Sequence, residues 1–172
     1  MEYDTWYHYT YLKKDNTVSI WIDGVKDSEV AIGVTSGNKG AFWISGDPWY
    51  NSLTRAGYDN FQVHNKALSE EEIQTTVGGA ILFNDNLVLA YDFGEISDNK
   101  VRDLSPYGND GVINGVTFPE GGAPEGHHVY KLPPPGAYME VDGSADYLEI
   151  PHTEDLELGK DNADFTVSFG LL

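Results

Sequence analysis

The feature that most constrains this chain is a two-residue rhythm. In Thr17-Val18-Ser19-Ile20-Trp21-Ile22 the aliphatic side chains Val18, Ile20 and Ile22 fall on one face and Thr17, Ser19 and Trp21 on the other, a period that suits a pleated strand and no helix. Comparable short runs recur at 6–12, 28–34, 41–46, 57–64, 87–93, 111–118, 137–142, 146–150 and 164–171, separated by clusters of Gly, Asp, Asn and Pro. Many short strands between turn residues predict an antiparallel sandwich or barrel. The one helix signal starts at Ser69, a capping residue with Glu72 three positions on, and Glu70, Glu71 and Glu72 suit the positive end of the helix dipole over a turn or two.

A chain of 172 residues is long enough to bury a core without staples, and it has no cysteine to form disulfides. Twenty-eight acidic residues against ten basic ones give a net charge of −18, which repels a phosphate backbone and an anionic bilayer surface, so nucleic acid is excluded as a partner. The longest apolar stretches, Ala80-Ile81-Leu82-Phe83 and Leu87-Val88-Leu89-Ala90, are far short of a membrane span, and no membrane insertion is expected. No leader-like pattern opens the sequence, so any export signal is expected to lie outside it.

The motifs group by halves. Residues 1–76 carry Trp6-Tyr7-His8-Tyr9, a strand ending in Trp21-Ile22-Asp23-Gly24, and Gly57-Tyr58-Asp59-Asn60-Phe61-Gln62-Val63-His64 before the helix. Residues 87–172 carry Leu89-Ala90-Tyr91-Asp92-Phe93, then Asp103-Leu104-Ser105-Pro106-Tyr107-Gly108-Asn109-Asp110-Gly111, then Tyr138–Pro151, and Asp164-Phe165-Thr166-Val167-Ser168-Phe169. Together these resemble the laminin-G-like, concanavalin A-like jelly-roll superfamily, with the closing-half motifs ahead of the opening-half motifs. The resemblance implies an all-β, antiparallel jelly-roll β-sandwich, permuted or split: a closing half at 1–76, a linker at 77–86 with the Gly78-Gly79 pair, and an opening half at 87–172, together one domain. In the family two or three central strands separate the Phe165–Phe169 strand from the Trp6–Tyr9 strand. Either the halves close on each other within one chain, or copies exchange strands as a homodimer, or the sequence spans the seam between tandem modules of a longer repeat protein.

The resemblance also implies a structural Ca²⁺ site where first and last strands meet, matched here by Asp92 and Asp59, with Asp103, Asn109 and Asp110 as further oxygen donors. Asp and Asn also populate turns for local backbone hydrogen bonding alone, and both readings stand for all five residues. Sugars are held by ring faces stacked on Trp or Tyr, with Asp, Asn and Arg binding the hydroxyls. The turn Gly46-Asp47-Pro48-Trp49-Tyr50-Asn51 has that composition, so Trp49 and Tyr50 with Asp47, Asn51 and Arg55 form the candidate glycan platform; a second aromatic set is Trp6, His8 and Trp21. Catalysis is not expected. Glycosidases on this scaffold use a Glu-x-Asp-x-Glu strand, and Glu140-Val141-Asp142 continues into Gly143 and Ser144 without the second Glu.

The sequence thus reads as a non-catalytic carbohydrate-binding or adhesion module of a larger extracellular, bacterial protein. Its partner is a glycan or cell-surface polysaccharide, its cofactor Ca²⁺ and its location the cell surface or beyond. The alternatives are a structural spacer in a surface protein and an accessory module of a polysaccharide-degrading enzyme.

Overall fold

A computed structural model describes residues 5–37, 40–46, 55–119, 137–143 and 146–172. The strands are β1 (Tyr7–Lys14), β2 (Thr17–Ile22), β3 (Val25–Ala31), β4 (Phe42–Ile44), β5 (Arg55–His64), β6 (Leu87–Tyr91), β7 (Ile96–Ser97), β8 (Lys100–Val101), β9 (Gly111–Asn114), β10 (Met139–Asp142), β11 (Tyr147–Ile150) and β12 (Phe165–Leu171), with helix α1 (Glu70–Val77) between β5 and β6. They form two antiparallel sheets. The larger runs β10-β5-β12-β1-β2-β3 with β6 also on β5, and the smaller runs β4-β11-β9-β8-β7.

Both halves of the sequence supply strands to both sheets. β12 pairs with β1 (Tyr9↔Phe169) on one side and β5 (Val63↔Val167) on the other, so the two halves interleave within one chain. The core lies between the sheets: Phe61, Val63, Leu89, Tyr91 and Val167 from the large sheet are buried against Ile44, Leu148 and Ile150 from the small one. Phe165 and Phe169 pack against it partly buried.

Val18, Ile20 and Ile22, expected in the core by their alternation, are only half-buried, and β1, β2 and β3 contribute nothing to the buried core cluster. The pleat sorts side chains to faces correctly, but among the described residues the small sheet ends at β4 and sets no strand against this part of the large sheet's inner face. Val30, the partner of Val18, is 60% exposed, and Val25, the partner of Ile22, is 69% exposed.

The outer face of the large sheet is covered instead. Ser69 and Glu72 close a reciprocal capping box on α1, and Lys66 Nζ lies 2.6 Å from Glu72. Helix residue Ile73 then packs with Leu12 and Leu68 over Trp21 and Leu82. Gln62 holds the segment after the helix by donating to the Ala80 carbonyl and accepting from the Leu82 N–H, both at 2.9 Å. The expected linker is therefore a strap across the sheet.

Candidate functional site

Asp59 and Asp92 come within electrostatic reach of each other beside a fork in the large sheet. One edge of β5 pairs with β10 as far as Met139↔Tyr58 and with β6 from Phe61↔Tyr91 onward, so Asp59 and Asn60 fall where one neighbour ends and the next begins. On the opposite edge the β12 register shifts between Ser168 and Gly170, a bulge at the same level. Asn60 takes a left-handed conformation, φ 48°, and Phe93, the residue after Asp92, does likewise at φ 57°. These left-handed residues lie beside both carboxylates, in the middle of β5 and just past the end of β6, where Asp92 is within electrostatic reach of Asp59.

Neither carboxylate meets a basic side chain in the ion pairs among the described residues. Asp59 accepts the Asn60 N–H at 2.7 Å and Asp92 the Gly94 N–H at 2.9 Å. Burial pushes the Asp59 carboxyl up to about 7; the Asn60 hydrogen bond opposes the rise and the charge of Asp92 adds to it. The fork is thus an all-oxygen donor pair without a compensating charge, which suits a hard cation. Among the described residues no three of His, Cys, Asp or Glu converge as a metal cluster, so backbone carbonyls and water would complete any coordination.

Asp103, Asn109 and Asp110 lie elsewhere, in a closed hydrogen-bonded turn. Asp103 is 5% exposed and accepts the N–H groups of Ala90, Ser105 and Asn109 and the Ser105 hydroxyl, at 2.6 to 2.9 Å. Asp110 accepts the Asp103 N–H at 3.0 Å. Asn109 donates to the Val88 carbonyl, accepts from Thr153, and offers its own carbonyl to the Tyr91 hydroxyl. All three have the local bonds that the turn reading expects, and this turn pins β6 to the loop before β9. It also lines an open polar cleft of about 470 Å³ with Ser97, Asp98, Lys100 and Arg102.

Of the expected glycan platform, Asp47, Trp49, Tyr50 and Asn51 lie outside the described residues, and Arg55 opens β5 exposed. The second aromatic set is not a surface. Trp6 is 1% exposed, edge-on to Tyr138 with centroids 5.6 Å apart, and a Cβ on Gly57 would approach its ring to 3.1 Å. His8 is buried, and Trp21 is covered in part by the α1 cluster and carries Lys26 5.6 Å from its ring centroid. Trp6 is closed in by Tyr138 and by Gly57 and Gly170 of the sheet, Trp21 by the α1 cluster.

An aromatic groove, missed in the sequence, opens on the inner face where the small sheet ends. Tyr11, Tyr58, Phe61, Val167 and Phe169 line one side and Phe42, Trp43, Ile44 and Ser45 the other, around about 300 Å³. Phe169 organises it, stacked on Tyr9 and Tyr11 at 6.1 Å each and on Phe61 at 5.5 Å. Tyr11 is 38% exposed.

The family model Laminin_G_3, described as the concanavalin A-like lectin/glucanases superfamily, matches residues 1–74. No curated protein and no solved structure matches the chain. The resemblance read in the motifs therefore holds for the first half, and the whole chain has the antiparallel sandwich that the resemblance implies.

Proposed function

We propose that this chain is a non-catalytic carbohydrate-binding or adhesion module of a larger extracellular, bacterial protein, its sandwich stabilised by Ca²⁺ and its ligand a cell-surface polysaccharide or other glycan. The observation that carries the reading is the aromatic groove. Ring faces on both walls, one of them the exposed Tyr11, offer the apolar platform that a sugar's C–H face requires. Asp59 and Asp92 would hold Ca²⁺ at the fork, where a bound cation neutralises two like charges and ties the middle of β5 to the end of β6.

A glycan array followed by titration calorimetry, with and without Ca²⁺, tests this. Tyr11→Ala is expected to weaken binding about tenfold, the worth of one aromatic stack, and Trp49→Ala/Tyr50→Ala to weaken it further while the fold persists. Undiminished affinity in both variants removes the groove and the turn as the site. The absence of any glycan ligand returns the chain to the spacer reading.

A further inference from the structure

The layer between the large sheet and its cover is polar where a protein interior is normally apolar. His8 and Thr10 on β1, Thr166 and Ser168 on β12, and Gln62 and His64 on β5 are all 1% exposed or less. Some are well bonded: Gln62 grips the strap, and Thr166 binds the Lys66 carbonyl at 2.8 Å and the Leu68 N–H at 3.0 Å. Others are not. Both ring nitrogens of His64, the Asn84 Nδ2 and the Ser168 Oγ are buried without a hydrogen-bond partner.

His64 lies beneath Asn84, in the turn by which the strap returns to the sheet. The orientation of that amide is fixed, because Asn84 Oδ1 accepts the Asn86 N–H at 2.9 Å and leaves the NH₂ end as the group without a partner. Asn86 in turn ties the strap to the end of β5 by accepting the Asn65 N–H at 2.9 Å and donating to Asn65 Oδ1 at 3.0 Å. A neutral imidazole nitrogen tolerates an NH₂ neighbour because its lone pair can accept. An imidazolium has only donors, and the cost of burying its charge in this layer exceeds what the Asn84 contact returns to it.

We propose that residues 80–86 are an acid-released latch, closed over the large sheet while His64 is neutral and opened when it takes a proton. The charged groups nearest His64 are Lys66 and Glu72, which pair with each other at 2.6 Å and so offer an imidazolium little net compensation. On β6 the register neighbour is Leu87 and on β12 it is Thr166, neither charged. His8 shares the layer from β1, across β12, and the charged group beside it, Asp23, is engaged by the His8 backbone N–H at 2.8 Å. Burial holds the His64 ring down to about 4, consistent with a neutral latch near pH 7. Release would lift Leu82 from the Leu12, Leu68 and Ile73 cluster and expose an apolar surface on the side opposite the groove.

Amide hydrogen exchange followed by NMR, corrected for the intrinsic pH dependence of exchange, tests the latch. Relative to pH 7.5, protection of the Leu82 and Asn65 amides should fall about tenfold at pH 5.5 and nearly a hundredfold at pH 4.5, with Val63 in the core protected longer. In His64→Gln this local fall should vanish. In Asn84→Asp, where a carboxylate faces the ring, it should shrink or disappear, and this variant decides the matter if His64→Gln does not fold. The same pH-dependent fall in both variants, no fall in the wild type, or loss of strap and core protection together would overturn the proposal.

Discussion

Asp59→Asn makes the fork measurable without knowing any glycan. Asp59 is 6% exposed, and burial raises its carboxyl from 3.8 to about 7. Between those values the folded chain holds a proton that the unfolded chain releases, so this group's contribution to stability is fully present below pH 3.8 and is lost as pH rises through 7. The difference of 3.2 units corresponds to roughly 4 kcal/mol by pH 8 when no cation is bound. Asparagine keeps the shape and removes the charge. In chelator at pH 8 the variant should be more stable than wild type by up to about 4 kcal/mol, on the order of 10 °C in a domain of this size, with the difference vanishing near pH 4. If Asp59 binds calcium as proposed, adding it should reverse the order, with wild type gaining with metal concentration and the variant not. Scanning calorimetry across pH 4–8, with Ca²⁺ or chelator, reads all four arms. If Asp59→Asn is less stable than wild type at pH 8 in chelator, or follows the wild-type pH profile, the cost assigned to the buried charge is wrong.

Burial lowers both His8 and His64 from 6.5 to about 4, so their contribution to stability is intact above pH 6.5 and lost as pH falls toward 4. Over that window their two protons outweigh the opposite one of Asp59, and urea midpoints of the metal-free chain should rise from pH 4 to pH 6.5 with a net slope near one proton. A flat or falling profile would refute it. Asp103→Ala leaves three N–H groups and a hydroxyl without their acceptor and should cost at least about 3 kcal/mol in urea unfolding, equally with and without Ca²⁺. Calcium-dependent destabilisation would instead return Asp103 to the metal ligands. Light scattering should show a monomer with one cooperative transition, as closure through the β1–β12 and β5–β12 ladders within one chain requires. A dimer that separates only on unfolding would favour strand exchange.

Local chemistry made much of this protein legible from sequence. The period of two named the strands because the pleat forces successive side chains apart. Ser69 and Glu72 placed the helix start because their side chains close on backbone groups three residues away. Asp59 and Asp92 could be paired before any coordinates only through the family resemblance. What sequence could not supply was cover. The same alternation in β2 is compatible with a buried or an open face, and only the end of the small sheet at β4 decides that Val18, Ile20 and Ile22 stay half-exposed while Tyr11 and Phe169 form a groove. Likewise Trp6 reads as an outward-facing ring until Tyr138 and Gly57 are packed against it. Periodicity reports which side chains share a face, whereas burial depends on what distant segment lies over it, and that is set by tertiary packing alone.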